Sequence, residues 1–408
     1  MSTRTMIRSL MMLTVAIVAS QPAVGDWRQF RGDNVDGVSP TGNPPVNLSG
    51  DTIAWRSPLP GRGLSSPIIV GDGVYVTASS GAAQERLHVL CFDAATGQQR
   101  WERQFWATGR TVTHDKTNVA APTPCSDGAR IFAFYSSNDV ICLGLDGEFQ
   151  WARGLTWDFP NASNSLGMSS SPVVVGETLV AMVENDDDSF SIGLDTSSGT
   201  TRWKIDRPRK ANWTSPTILR GEKDLVLLQS SAGIAAIDPS TGKEQWTYTD
   251  GASTIPSLVV AGDTAFVPSK GLTAVRAEGG QPNASDVLWQ EGGLSPGTGS
   301  PIALGDKLYF VNNAGVLTCA EQATGKRLWQ KRLAGSFSGS PVIASNRLYA
   351  VNEAGTIFCV DLSSAEGEIL SSFDLEQTIL CTPAIAGNAM YVRSDKELVK
   401  LAAPVETP

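Results

Sequence analysis

The chain has 408 residues, 41% of them hydrophobic and 18% charged, with 40 Gly, 23 Pro and a formal net charge of −9. That apolar content is enough for a large core and excludes a disordered or coiled-coil chain. The acidic balance repels phosphate backbones, so no nucleic acid is expected as a partner. The first 25 residues read apart from the rest. Arg4 and Arg8 make a basic start, Leu10 to Ala19 form an apolar stretch too short to span a bilayer, and Ala23-Val24-Gly25 offers a small-residue cleavage site before Asp26. Residues 1–25 are therefore expected to be a secretory signal peptide, 26–50 a turn-rich N-terminal arm and 51–408 the folded body. The cleaved chain would be exported, periplasmic or extracellular, with no integral membrane segment left. No Cys adjoins the cleavage site, so no lipid anchor is expected there.

Along the body a Ser/Thr-Pro step followed by a β-like run recurs at Ser66-Pro67, Thr123-Pro124, Ser171-Pro172, Ser215-Pro216, Ser300-Pro301, Ser340-Pro341 and Thr382-Pro383, with Ile255-Pro256 as a looser copy. The mean interval from Pro67 to Pro383 is about 45 residues. Trp55, Trp101, Trp151, Trp203, Trp246, Trp289 and Trp329 run in phase with it, and Phe373 takes the eighth place. Between markers lie three strand-like segments, clearest at Pro301 to Leu304, Lys307 to Asn312 and Val316 to Ala320, and the Trp segment is a fourth. Four short strands in such a period make one propeller blade. The last copy has room for only three strands, whereas Trp55 lies in a fourth strand with no first three before it. The predicted fold is all-β: an eight-bladed β-propeller of four-stranded antiparallel blades, its last blade closed by an N-terminal strand around Trp55. Closure of that kind leaves no long sheet edge exposed.

The repeats carry the pattern A-x-D-x-x-T-G-x-x-x-W, as in Cys91-Phe92-Asp93-Ala94-Ala95-Thr96-Gly97 to Trp101 and Ala236-Ile237-Asp238-Pro239-Ser240-Thr241-Gly242 to Trp246, with Glu321 replacing the Asp in the copy from Cys319 to Trp329. This resembles the pyrroloquinoline-quinone (PQQ) type of propeller repeat. The Trp is expected to wedge against the neighbouring blade, and the Gly to accept positive φ in the third-to-fourth strand turn. Small residues two before the Asp position (Cys91, Gly144, Gly193, Ala236, Ala274, Cys319 and Cys359) are expected to let stacked blades approach closely, which makes the cysteines free buried thiols.

The resemblance implies two functional classes. Quinoprotein dehydrogenases hold PQQ and Ca²⁺ above the central channel, and many carry large insertions and adjacent cysteines, neither of which this chain has. The others are non-catalytic propellers such as the BamB-like component of the outer-membrane β-barrel assembly machinery. The expected function is a binding scaffold with no catalytic centre and no cofactor; a PQQ- and Ca-dependent oxidoreductase and a BamB-like assembly factor are the alternatives. A narrower resemblance, to exported PQQ-like propellers of planctomycete-type bacteria, rests on Asp26-Trp27-Arg28-Gln29-Phe30-Arg31-Gly32, on His114-Asp115-Lys116-Thr117-Asn118 running to Pro122-Thr123-Pro124, and on Asp188-Ser189-Phe190. The Arg31-Gly32-Asp33 triplet reads as a turn in the arm, not as an adhesion signal.

Strand direction alternates within a blade, so interblade loops share a face with second-to-third strand loops. Two interblade loops are long. One carries Trp106, Arg110, His114, Asp115, Lys116 and Asn118, the other Trp157, Asp158, Asn161, Asn164 and Ser165. The acidic run Glu184-Asn185-Asp186-Asp187-Asp188 and the group Arg207, Arg209, Lys210 and Trp213 fall on the same side. Long loops on a rigid scaffold are where propellers place recognition. The candidate ligand-binding residues are Arg110, His114, Lys116, Asn118, Trp157, Asp186, Asp187, Asp188, Arg207 and Trp213. The partner expected there is a protein, such as another envelope component, or a small-molecule or saccharide ligand. The acidic run lacks EF-hand spacing and reads as a solvated hairpin tip, so no metal is expected. His88 reads as structural, and no G-x-S-x-G, Walker or dinucleotide motif is present.

Overall fold

The computed structural model describes residues 25–162, 166–277 and 286–404. The signal-peptide reading, like Asn164 and Ser165 of the second long loop, lies outside them. Eight antiparallel sheets surround a central axis. Blade 1 consists of strands A to D, from the axis outward: Ile68–Val70, Gly73–Ser80, Arg86–Asp93 and Gln99–Trp106. Blades 2 to 7 repeat this plan over residues 125–154, 173–206, 217–248, 259–291, 302–332 and 342–374. In blade 8, Ala384–Ala386, Ala389–Arg393 and Glu397–Ala402 supply three strands, and the fourth is Ile53–Pro58. Trp55 pairs with Lys400, Ser57 with Leu398 and Pro58 with Glu397, so the two ends of the chain zip together as the strand arithmetic requires.

In the blades that carry one, the D-strand Trp reaches the next blade. The indole N–H of Trp55 donates to Ala94 O at 3.2 Å, Trp101 to Leu145 O at 3.0 Å, Trp151 to Thr196 O at 3.1 Å and Trp203 to Pro239 O at 2.8 Å. The turn glycine is needed twice over. Gly97 has φ of +72°, and a Cβ there would come within 2.6 Å of the Trp55 ring. Asp93 caps the same turn, accepting from the backbone N–H groups of Ala95 at 3.0 Å and Thr96 at 2.8 Å.

The small residues before the Asp position have a different cause from the one expected. They lie directly across the C–D strand pair from the Trp of their own blade: Cys91 opposite Trp101, Gly193 opposite Trp203, Ala236 opposite Trp246 and Cys319 opposite Trp329. In blade 2 that place belongs to Cys142, opposite Trp151, and not to Gly144. A register shift next to this pair recurs in every blade, which twists the outer strand. All six cysteines are free and buried. His88 is buried too, with Glu102 Oε1 at 2.6 Å and Ser80 Oγ at 2.7 Å.

Three local expectations need correction. The arm is more than turns: Val38–Ser39 pairs in parallel with Val342–Ala344, which makes blade 7 five-stranded. Trp106 ends a strand and does not sit in a loop. Trp157 lies on a one-turn helix, Leu155–Asp158, that no periodicity announces.

Candidate functional site

The Ser/Thr of the recurring step has a job that the sequence pattern did not reveal. The backbone N–H of Ser66 donates to the Thr123 hydroxyl at 2.9 Å, that of Thr123 to Ser171 at 3.0 Å, and that of Ser171 to Ser215 at 2.9 Å. The sequence continues through Ser257, Ser300 and Ser340 to Thr382. Seven such bonds form a belt around the channel and stitch neighbouring blades at the axis. In blade 5 the belt residue is Ser257, so Ile255-Pro256 stands two residues out of register with the other markers.

All eight belt residues line a cavity of about 460 Å³ on the axis. Two residues upstream of each lies a second tier: Leu64, Ala121, Ser169, Trp213, Ile255, Thr298, Ser338 and Leu380. Alternate residues of an extended chain face the same way, which explains the offset of two. The belt is uniform, whereas the upper tier is apolar at blades 1, 2, 4, 5 and 8 and polar at blades 3, 6 and 7. Leu166 and Ile255 are the exposed apolar residues at its lip.

The floor is supplied by the arm, with Phe30 facing the cavity. Trp27 exchanges backbone hydrogen bonds with Ile69 of blade 1 at 2.9 and 3.0 Å. Arg28 O accepts from Ser126 of blade 2 at 2.8 Å, and Gln29 Oε1 from Val174 of blade 3 at 3.3 Å. Arg220 donates to Asp33 O beside blade 4, and Arg31 donates to Leu258 O and Pro301 O at the start of blades 5 and 6. Gly37 O then accepts from Ile343 of blade 7 at 2.8 Å, and Asn43 donates to Gly387 O of blade 8 at 2.9 Å. The arm thus touches the blades in chain order and makes the channel blind. The Asp26 to Gly32 motif builds this plug. Arg31 is fully buried at positive φ, so the Arg-Gly-Asp triplet is an internal turn.

The roof comes from the first long loop. His114 and Lys116 line the cavity, and Lys116 Nζ reaches across the mouth to Glu353 of blade 7, at 2.8 and 3.0 Å from its two oxygens. The His114 N–H donates to Leu166 O at 2.9 Å, and the Trp213 indole N–H to Gly167 O at 3.0 Å. The Ala211 N–H donates to Asp186 Oδ1 at 3.2 Å. These bonds tie the long loops and the acidic loop into one face.

Nine of the ten candidate residues divide into three groups on that face. His114, Lys116 and Trp213 surround the channel mouth. Arg110, Trp157, Asp186 and Asp187 are exposed away from it, Trp157 at 78%. Asn118 and Arg207 are internal supports. Asn118 is fully buried, and neither end of its amide has a hydrogen-bond partner among the described residues. Arg207 Nε pairs with buried Glu184 Oε1 at 2.6 Å, and Asn212 holds the other carboxylate oxygen at 2.8 Å. Burial raises the Glu184 pKa against the pull of Arg207. Asp188 shares a smaller cavity of about 260 Å³ with Arg207, Phe159, Phe190 and Lys204. The belt, the upper tier and Phe30 escaped the sequence reading. The offset of two from each Ser/Thr-Pro step is the signal that could have found the tier.

The donor set around the axis does not suit the group that quinoprotein folds imply. Ca²⁺ takes six to eight oxygens with carboxylates prominent among them, yet the cavity lining includes neither Asp nor Glu and carries Lys116 and His114 at its roof. Among the described residues no cluster of three or more His, Cys, Asp or Glu is arranged to hold a metal.

A family profile described as outer membrane protein assembly factor BamB matches residues 46–187, 85–312 and 155–366. The chain belongs to this BamB family. A BamB of Burkholderia pseudomallei (strain K96243) is 23% identical over 282 residues, covering 66% of this chain and 55% of that protein. One of Alkalilimnicola ehrlichii is 26% identical over 183 residues, 44% of this chain and 42% of its own. The chain thus spans about half the length of these curated relatives. The crystal structure of BamB from Moraxella catarrhalis superposes with a TM-score of 0.62 at 18% identity, covering 87% of this chain and 99% of that one. A quinohemoprotein alcohol dehydrogenase from Comamonas testosteroni gives 0.70 at 13% identity, with 94% and 82% covered. At such identities the shared feature is the propeller fold. Among the described residues no helix is long and apolar enough to cross a membrane.

Proposed function

We propose that the chain is an exported scaffold of the BamB kind, which docks a protein partner of the cell envelope on the face formed by the long interblade loops. The observation that carries this reading is the asymmetry of that face. Loops of blades 1 to 4 are tied together there by His114, Trp213 and Asp186, and they present Trp157 at 78% exposure with Leu166 and Ile255 at 45% and 48%. Exposed aromatic and aliphatic anchors on a rigid frame suit protein recognition, because ordering them on binding costs little entropy. The BamB membership of the chain and its signal-like first 25 residues support the same reading.

The test is co-purification from the native envelope with the wild-type chain and with Trp157→Ala and Lys116→Ala variants. A partner retained by the wild type and lost from Trp157→Ala, with the melting temperature unchanged, is the expected result. Equal retention by all three overturns the placement of the docking face.

A further inference from the structure

We infer that the blind axial cavity is a binding site for a small organic carboxylate bearing an apolar tail. This goes beyond the docking reading and does not depend on it. The cavity volume of about 460 Å³ falls in the ordinary range of small-molecule sites. In a protein of net charge −9, its lining contains no acid and is rich in hydroxyls. Seven belt hydroxyls already accept a backbone N–H from the preceding blade. Each keeps an O–H to donate, so the belt offers donors to whatever occupies the axis.

The basic groups at and around the cavity favour a negative charge, Lys116 and His114 in its lining and two arginines behind it. Two arginines near the axis, Arg31 and Arg393, are fully buried behind the cavity lining; Asp36 and Asp395 are their respective nearby carboxylates, and neither is hydrogen-bonded to its arginine among the described residues. Arg31 adjoins Phe30 under the floor. Arg393 donates to Ser65 Oγ at 2.9 Å and Thr77 O at 2.6 Å, directly behind Ser66 of the belt. Arg31 Nε and Arg393 Nη2 have no hydrogen-bond partner among the described residues. Asp36 and Asp395 offset these charges only in part, without hydrogen-bonding to them, so an anion on the axis gains from both. Lys116 covers the same space from above, within reach of an incoming carboxylate in exchange for Glu353. The apolar upper-tier residues Leu64, Leu380, Trp213 and Ile255 leave room for a hydrocarbon tail beside that carboxylate.

Calorimetric titration of the purified chain with octanoate and with octan-1-ol tests this. One octanoate per chain is expected, bound about tenfold tighter than the alcohol, since a charge-assisted contact contributes roughly 1.5–3 kcal/mol. Lys116→Met weakens octanoate about tenfold and leaves octan-1-ol unchanged. Thr298→Trp, which fills the mouth from the upper tier, abolishes both; Ser257→Leu serves the same end from the belt if that variant does not fold. Absence of saturable octanoate binding overturns the inference. So does equal affinity for acid and alcohol, an unaltered octanoate affinity in Lys116→Met, or binding that survives in a folded mouth-filling variant. Loss of partner docking in Trp157→Ala with octanoate binding intact separates this site from the docking face.

Discussion

The two faces of the ring are built to opposite rules. On the lower face the A–B turns are mostly of two residues, and one continuous arm bonds to the blades in order, burying Trp27 and Val35. On the upper face the interblade loops differ in length and composition, and they leave Trp157, Leu166 and Ile255 in water. Both faces hang on the same belt of hydroxyls. The difference shows that a closed base lets the opposite rim vary, because stability is secured by the belt, the Trp contacts and the plug before any upper loop is specified.

The contrast is sharpest at two tryptophans of equal size. Trp27, at 2% exposure, is sandwiched between the arm and blade 1, and Trp27→Ala is expected to cost about 3–5 kcal/mol in urea unfolding. Trp157→Ala, on the upper face, should move stability by less than about 0.5 kcal/mol. Similar losses at both positions would mean that the upper loops are as integral as the plug.

A second pair separates packing from backbone strain. Gly97 and Gly71 both have positive φ, but a Cβ at Gly97 would meet the Trp55 ring at 2.6 Å, whereas nothing lies within 4 Å of one at Gly71. Gly97→Ala should cost about 2–4 kcal/mol, since overpacking adds to strain. Gly71→Ala should cost about 1 kcal/mol from strain alone. Equal costs, measured by thermal unfolding, would show that the Trp55 contact across the seam is loose.

What the sequence revealed and what it concealed follow the same division. Blade number, strand count and closure at Trp55 were readable because each rests on a feature repeated eight times. The cause of the small residues was misread, since Cys142 and Gly193 face a Trp across a strand pair that linear spacing does not display. The plug was invisible for another reason. Asp26 to Asn43 bonds through backbone groups to residues far along the chain, and such partners leave no periodic trace. At the rim, polar identity suggested ten residues. It could not tell Lys116, which spans the mouth, from Asn118, which lies buried one turn of chain away.

Acid should loosen the outer turns before the axis. Arg100, together with the turn's own N–H groups, holds the Asp93 carboxyl down at about 2. A carboxylate with a lowered folded-state pKa adds stability above its ordinary pKa, and that stability is lost as pH falls through the folded value. The loss is therefore expected between about pH 4 and pH 2. Because the turn is partly exposed, it amounts to about 1 kcal/mol or less. Arg100→Ala should flatten the acid limb of the stability curve over this interval; an unchanged limb would place the acid sensitivity elsewhere, away from the lower turns.

The smallest global effect is expected at the roof of the cavity. Lys116 is 62% exposed and Glu353 23%, so their ion pair contributes no more than about 1 kcal/mol. Its importance is local: it joins blade 7 to a loop whose backbone is otherwise held by the His114 and Thr117 N–H bonds to Leu166 O and His114 O. Glu353→Gln should leave the melting temperature within a degree or two and speed amide exchange at His114 and Thr117 several-fold. Added salt should do the same to the wild type, because the pair is open to solvent. A large fall in melting temperature would instead make the strap part of the core. In that case the upper face would follow the rule of the lower one.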